Sequence, residues 1–145
     1  FLTTRTEPMR SLIVVDANIA FRLLCAGAEG IRDRLRPGSG NRFFAPRYLY
    51  VELFKHKDRL LKSSHLREAD LLEALQALLS RLEFVGEANI PVGTWIKAYQ
   101  LCREVDENDT PYVALCLHLE ARLWTVDLEL KTGLAARGFD RFFEG

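Results

Sequence analysis

The stretch SLIVVDANIA, residues 11–20, determines the fold that the sequence predicts. Its first five residues are mostly apolar and β-branched, which is typical of a parallel strand covered on both faces. The next residue is Asp16, and aspartate is rarely buried without a partner because an unpaired, desolvated charge is costly. The stretch therefore predicts a central strand that delivers a carboxylate either to a helix cap or to a functional site.

Strand and helix patterns alternate along the rest of the chain. Strands are predicted at residues 11–15, 42–46 and 122–127, with a short last strand at 139–143 and either a strand or an extended connector at 83–86. Helices are predicted at residues 17–27, 47–64, 66–82, 92–105, 106–121 and 128–138. Alternation of this kind predicts one α/β domain with a mostly parallel central sheet.

The composition limits the class of protein. A chain of 145 residues that is 48% hydrophobic suits one domain with its own core. Twenty basic residues balance twenty acidic ones, which argues against a strongly basic nucleic-acid binder and a polybasic membrane anchor. The three cysteines lack disulfide or zinc spacing, which predicts a cytoplasmic protein. No apolar run approaches the roughly 18 residues of a transmembrane helix, so no membrane span is predicted. Residues 1–9 lack the apolar core of a signal peptide and are predicted to be a flexible leader.

Several carboxylates fall beyond the carboxyl ends of predicted strands, where an open parallel sheet binds its ligands. Asp16 and Asp127 each end a strand, and Asp109 begins an apolar helix with Asp106 three residues before it. Glu52 lies inside a helix, at the edge of its buried face. Converging carboxylates repel one another unless a cation lies between them. Because oxygen ligands without Cys or His suit Mg²⁺ or Mn²⁺, the sequence predicts a magnesium or manganese site.

Four short motifs, in this order, resemble the PIN-domain family: VVDANI, VELF, DENDTPYVALCL and LWTVD. The resemblance implies a PIN-like three-layer α/β/α sandwich with a mostly parallel central sheet, formed by residues 10–145 as a single domain. It also implies a Mg²⁺- or Mn²⁺-dependent endoribonuclease that hydrolyses RNA phosphodiester bonds. Many members of the family have this activity, including the VapC-type toxins of toxin–antitoxin pairs.

The resemblance also implies roles for individual residues. The family's four acidic positions fall on Asp16, Glu52, Asp109 and Asp127, as catalytic and metal-binding residues, with Asp106 as an alternate third ligand. Asn18 and Thr125 match the polar residues that orient carboxylates or water in the family. Val126 stands where the family often has glycine, which predicts a narrower mouth of the site.

Other interpretations of these residues stay open from sequence alone. Asp16, Asp109 and Asp127 would each also serve as a simple cap of the helix that follows. Glu52 would also suit a surface pair with Lys55 or His56. The alternative function is a non-catalytic PIN-like domain that binds RNA or a protein partner without cutting.

The predicted partners follow from the same resemblance. RNA is the expected substrate, and Arg42, Arg47 and Lys55 are predicted to contact its backbone if they border the acidic site. An antitoxin protein would cover that site, placing an arginine among the carboxylates. Exposed apolar residues on the long helices predict a homodimer.

Overall fold

A four-stranded, all-parallel sheet organises the part of the chain that the computed structural model describes, residues 11–145. Its strands are β1 (Ser11–Val15), β2 (Asn41–Pro46), β3 (Leu82–Val85) and β4 (Arg122–Trp124), in the spatial order β3-β2-β1-β4. In the centre of the sheet, Ile13 of β1 lies opposite Phe43 of β2 and Arg122 of β4. The predicted leader, residues 1–9, lies outside the described residues.

The sheet is covered on both faces because β1 alternates its apolar side chains between two cores. Ile13 and Val15 are fully buried in the first core, and Val14 is fully buried in the second. Phe43 and Phe44 of the neighbouring β2 divide between the same two cores. The continuous apolar run of β1 is therefore explained by burial from both sides, as predicted.

Seven helices form the two outer layers of the described chain. They are α1 (Ala17–Arg34), α2 (Tyr48–Lys55), α3 (Lys57–Ser64), α4 (Glu68–Arg81), α5 (Val92–Cys102), α6 (Thr110–Leu119) and α7 (Leu128–Ala136). Buried residues of α1 to α4 join the first core, and those of α5 to α7 join the second. The predicted α/β/α sandwich is confirmed. No helix within residues 11–145 is long and apolar enough to cross a membrane.

The first helix extends beyond its predicted end. Gly27 has φ 88° and ψ 169°, which interrupts the helical geometry where the sequence predicted a stop. The chain then resumes helical structure as far as Arg34, because Ala28 and Ile31 of the second segment are buried in the first core. The prediction that the helix ends at this glycine is therefore wrong, although the helical geometry is interrupted there.

Other boundaries differ from the predicted ones because tertiary contacts decide them. The single helix predicted at 47–64 divides at His56 into α2 and α3. Residues 82–85 form a strand rather than a connector, paired with β2. The last strand predicted at 139–143 is reduced to one bridge between Leu123 and Phe142.

The strand order fixes the position of the candidate site. The chain runs outward from β1 through β2 to β3 and returns to β4 on the other side of β1, so the order reverses between β1 and β4. Ligands of open parallel sheets bind beyond the carboxyl ends of the strands at such a reversal. Asp16 follows β1 directly, and Asp127 follows β4 after two intervening residues.

Candidate active site

Thr125 connects the carboxylates that follow the two central strands. Its hydroxyl hydrogen-bonds to the Asp16 carboxylate and accepts the backbone N–H of Asp127 at 3.1 Å. Asp16 and Thr125 are each only 2% exposed, although both are polar. One buried hydroxyl therefore holds both strand ends in a fixed arrangement.

Asp16 and Asp127 also cap the helices that follow them. Asp16 Oδ1 accepts the N–H of Ile19 at 2.8 Å, and Asp127 Oδ1 accepts the N–H of Leu130 at 3.1 Å. The capping interpretation is thus correct for both residues. Capping does not exhaust these carboxylates, because each ionised carboxylate has about four lone-pair sites and can accept further partners.

Asp109 behaves differently from Asp106. Asp109 occupies the position before α6 but makes no side-chain cap hydrogen bond, so capping does not account for it. Asp106 is exposed, and its Oδ1 accepts the N–H of Asn108 at 3.0 Å to cap a short turn of 3-10 helix, Glu107–Asp109. This difference favours Asp109 over Asp106 as the third acidic residue of the site.

Glu52 is held by a residue that the sequence analysis missed. Its Oε1 accepts the hydroxyl of Tyr112 at 2.5 Å, across from α2 to α6. None of the ion pairs among the described residues joins Glu52 to Lys55 or His56, so the surface-pair interpretation is not what the structure shows. Tyr112 is 1% exposed and stands in the apolar run of α6, where a tyrosine is indistinguishable from a core residue in sequence.

These side chains border one small cavity of about 160 Å³ at the reversal of strand order. The predicted residues that line it are Asp16, Asn18, Glu52, Asp106, Asp109 and Asp127. Phe21, His56, Arg59 and Asn108 also line it and were not predicted. Five carboxylates from four separate parts of the chain therefore converge on a single space.

The convergence changes the acidity of the carboxylates. Burial, followed by the charges of Asp106, Asp16, Asp127 and Glu52, raises the pKa of Asp109 to about 7. Burial also raises the pKa of Asp16, although its hydrogen bonds to Thr125 and Ile19 act in the opposite direction. Every charge that acts on these two carboxyl groups in residues 11–145 is another carboxylate. The cavity therefore concentrates negative charge from several parts of the chain.

The residues fit a divalent cation by their chemistry. The charged oxygens are of the kind that Mg²⁺ and Mn²⁺ bind. Burial and then repulsion raise the pKa of Asp109, and a cation would offset the repulsion. Within the described chain, no three His, Cys, Asp or Glu side chains are arranged as a ready metal-ligand group. The carboxylates would therefore have to draw closer together around a bound cation.

Other predicted residues lie around the cavity or away from it. Asn18 is exposed at its rim, on the first turn of α1. Val126 does not line the acidic cavity; it is 41% exposed and lines a neighbouring one, so the predicted narrowing of the mouth is wrong. A side chain that alternates with Thr125 and Asp127 points away from them.

The predicted RNA contacts are not brought to the cavity. Arg42 stands near the start of β2, at the opposite edge of the sheet, and its guanidinium forms a bidentate pair with Glu83 at 2.6 and 2.9 Å. Arg47 is exposed between β2 and α2, with its guanidinium beside Gly86, and Lys55 is exposed at the end of α2. None of the three lines the acidic cavity.

The fold and the site together define an α/β protein with an acidic cavity at the reversal of its strand order. The sequence matches the family described as PIN domain over residues 14–143, which is nearly the whole chain. No curated protein is similar enough in sequence to match it. The chain therefore belongs to the PIN-domain family, whose members are generally nucleases.

Proposed function

We propose that this protein is a metal-dependent endoribonuclease that hydrolyses RNA phosphodiester bonds in the acidic cavity. The observation that carries the proposal is the convergence of five carboxylates on one cavity, where burial and the neighbouring negative charges together raise the pKa of Asp109 to about 7. Such an arrangement is costly for a folded protein unless a ligand uses it. A divalent cation and the phosphate of a nucleic acid are ligands that suit it.

Asp16, Glu52, Asp109 and Asp127 would hold Mg²⁺ or Mn²⁺, with Asp106 as an alternate. A bound divalent cation would polarise the phosphoryl oxygens and make water a stronger nucleophile at neutral pH. The retention of all four acidic positions of the family supports hydrolysis over a purely binding role.

The neighbouring polar groups would orient these carboxylates. Thr125 fixes the direction of Asp16 through its hydroxyl, and the Tyr112 hydroxyl fixes one oxygen of Glu52. Because an ionised carboxylate has about four lone-pair sites, both groups would still be able to bind a cation while they accept these hydrogen bonds. Asn18 would contribute an amide at the rim, where water or substrate enters.

The finer parts of the proposal concern the biological role. We propose a toxin of the VapC type, acting in the cytoplasm and held inactive by an antitoxin protein that covers the acidic cavity. We also propose a homodimer, which is supported by large exposed apolar side chains on the outer helices. These are Tyr50, Val51 and Phe54 of α2, Leu72 of α4, and Val92, Ile96 and Tyr99 of α5.

The proposed function is tested by cleavage of a mixed-sequence, single-stranded RNA pool in Mg²⁺ or Mn²⁺, with EDTA as the metal-free control. The matched variant is Asp16→Asn, because asparagine caps a helix as well as aspartate does and so preserves the start of α1. Cleavage that requires metal and is abolished by Asp16→Asn supports the proposal. Cleavage that survives the substitution contradicts the assigned site.

The same experiment addresses the alternative of a non-catalytic domain. If the protein binds the RNA pool and is stabilised by metal but cuts no strand, the binding interpretation replaces hydrolysis. A parallel reaction with single-stranded DNA of the same sequences shows whether the proposed activity is confined to RNA.

A further inference from the structure

Arg59 of α3 lies at the acidic cavity although it belongs to neither the carboxylates nor their hydrogen-bond partners. Its guanidinium carbon is 5.9 Å from the centre of the Phe21 ring, within the range of a cation–π contact. The edge of the same ring faces His56, with the two ring centres 5.6 Å apart. Phe21, His56 and Arg59 all line the cavity, so one aromatic ring from α1 positions two basic side chains at its edge.

The guanidinium of Arg59 contacts the Phe21 ring but is not paired with a carboxylate among the described residues. None of the ion pairs among residues 11–145 includes Arg59. It is also absent from the charges that act on Asp16 and Asp109. Arg59 lines the cavity and is exposed to solvent, so its side chain lies at the rim.

An arginine in this position suits an anion that approaches the cavity from outside. A guanidinium offers planar, paired N–H donors that match the oxygens of a phosphate, and it stacks on an aromatic face while doing so. Arg59 is the only Arg or Lys side chain that lines the cavity in the described structure. A nucleic-acid strand that entered this acidic space would meet its first positive charge there.

We propose that Arg59, positioned by Phe21, binds a backbone phosphate of the RNA strand at the rim of the acidic cavity. The proposal rests on the proposed function, because it names the residue that holds the substrate of that site. It also explains how a chain with no net charge binds a polyanion beside five carboxylates. A single directed contact supplies the local attraction that the overall charge does not.

The test measures binding of a fluorescein-labelled, mixed-sequence 20-nucleotide RNA by fluorescence anisotropy, in EDTA so that the strand stays intact, over a range of NaCl concentrations. The variants are Arg59→Ala, Arg59→Lys and Phe21→Leu, which keeps the apolar packing without the ring. The matched control is Lys62→Ala, an exposed cation on the same helix that does not line the cavity. Thermal unfolding of each variant confirms that it is folded.

The expected result separates charge from stacking. Arg59→Ala weakens binding about tenfold and reduces the slope of log Kd against log salt by about 0.7, the value for one phosphate contact on a single strand. Arg59→Lys keeps the slope but loses part of the affinity, because lysine keeps the positive charge and lacks the planar, paired N–H donors of arginine. Phe21→Leu weakens binding less than Arg59→Ala, and Lys62→Ala leaves both affinity and slope unchanged.

Two outcomes overturn the proposal in distinguishable ways. If the unsubstituted protein binds and cuts RNA but Arg59→Ala retains its affinity and salt slope, the role of Arg59 is wrong and the ribonuclease proposal stands. The same conclusion follows if Lys62→Ala loses as much as Arg59→Ala. If the unsubstituted protein neither binds nor cuts RNA, both proposals fail together.

Discussion

Asp109 makes the stability of the protein depend on pH through the acidic cavity. Its pKa of about 7 lies above the value of about 3.9 for an unfolded aspartate. Between these two pH values the folded state binds more protons than the unfolded state, so this group makes the protein less stable as the pH rises. Above about pH 7 the carboxyl group is charged in both states, and it then lowers the free energy of unfolding by its full amount.

Metal-free Asp109→Asn is therefore predicted to unfold at a higher temperature than the unsubstituted protein near pH 8, because it removes one of the crowded charges. Near pH 4.5 the difference should largely disappear. Each kcal/mol that the substitution adds to the free energy of unfolding raises the Tm by about 2–4 °C in a chain of this size. Thermal unfolding in EDTA at the two pH values is the measurement.

The control for this prediction is Glu29→Gln, which removes an exposed carboxylate of α1 that does not line the cavity. It should leave the Tm nearly unchanged at both pH values. An equal rise in both variants, or a rise in Asp109→Asn that does not depend on pH, would contradict the account of Asp109.

Tyr112→Phe tests whether the buried hydroxyl orients Glu52. The substitution keeps the ring in the core and removes only the 2.5 Å hydrogen bond to Glu52. Residues that orient metal ligands typically contribute about 10–100-fold to metal affinity. We expect the affinity for Mn²⁺, measured by calorimetric titration, to fall at least about tenfold.

Tyr99→Phe is the matched control, since Tyr99 is 45% exposed on α5 and lies outside the cavity lining. It should bind Mn²⁺ as the unsubstituted protein does. If both phenylalanine variants bind Mn²⁺ equally well, Tyr112 fills space in the core and has no role in the site.

At the scale of single residues, the sequence identifies the strand-end carboxylates but not their partners. Asp16 and Asp127 were predictable because a buried strand that ends in aspartate is visible in the hydrophobic pattern. Whether Asp109 caps its helix is decided by backbone and side-chain angles, which the pattern does not contain. Tyr112 was missed because its hydroxyl gains meaning only from Glu52, 60 positions away.

At the scale of elements, the break in α1 depends on one glycine. Gly27 adopts φ 88° and ψ 169°, a conformation that is essentially confined to glycine, although a Cβ there would meet no atom within 4 Å. Gly27→Ala is predicted to destabilise the protein by about 1–3 kcal/mol through backbone strain alone. Denaturant unfolding gives the free energy directly.

Gly93→Ala provides the comparison, because Gly93 lies in α5 with no strained angle and no atom within 4 Å of an added Cβ. Alanine there should be neutral or should stabilise the helix by up to about 1 kcal/mol. Equal effects of the two substitutions on the free energy of unfolding would show that the backbone conformation at Gly27 does not require glycine.

Element boundaries were harder to predict than the elements themselves. The helical pattern of residues 47–64 continues through His56, yet the chain turns there because Leu53 and Leu60 pack into the same core from two different helices. The last strand shrinks to one bridge beside Leu123, a result that depends on neighbours distant in sequence. Local propensity does not contain these contacts.

At the scale of the whole molecule, strand direction decides which residues can share a site. All strands are parallel, so Asp16 and Asp127 meet at one edge of the sheet, and Arg42, near the start of β2, lies at the other. Arg42 is therefore close to Glu52 in sequence but lies away from the cavity that Glu52 lines. Arg59 reaches the cavity because α3 follows the carboxyl end of β2 through α2.

The two cores give the site its rigidity. Asp16 is attached to β1, which is buried on both faces, and Tyr112 belongs to α6 in the second core, whereas Glu52 comes from α2 on the first. The cavity therefore joins both layers of helices across the edge of the sheet.

Binding of a divalent cation in the acidic cavity is measured by calorimetric titration of MnCl₂ into the metal-free protein. We expect saturable binding near neutral pH that is lost, or weakened by more than about tenfold, in Asp16→Asn, whose asparagine is also a good cap for α1. Glu29→Gln should bind Mn²⁺ as the unsubstituted protein does. No binding by the unsubstituted protein, or equal binding by Asp16→Asn, would show that the acidic cavity is not a divalent-cation site.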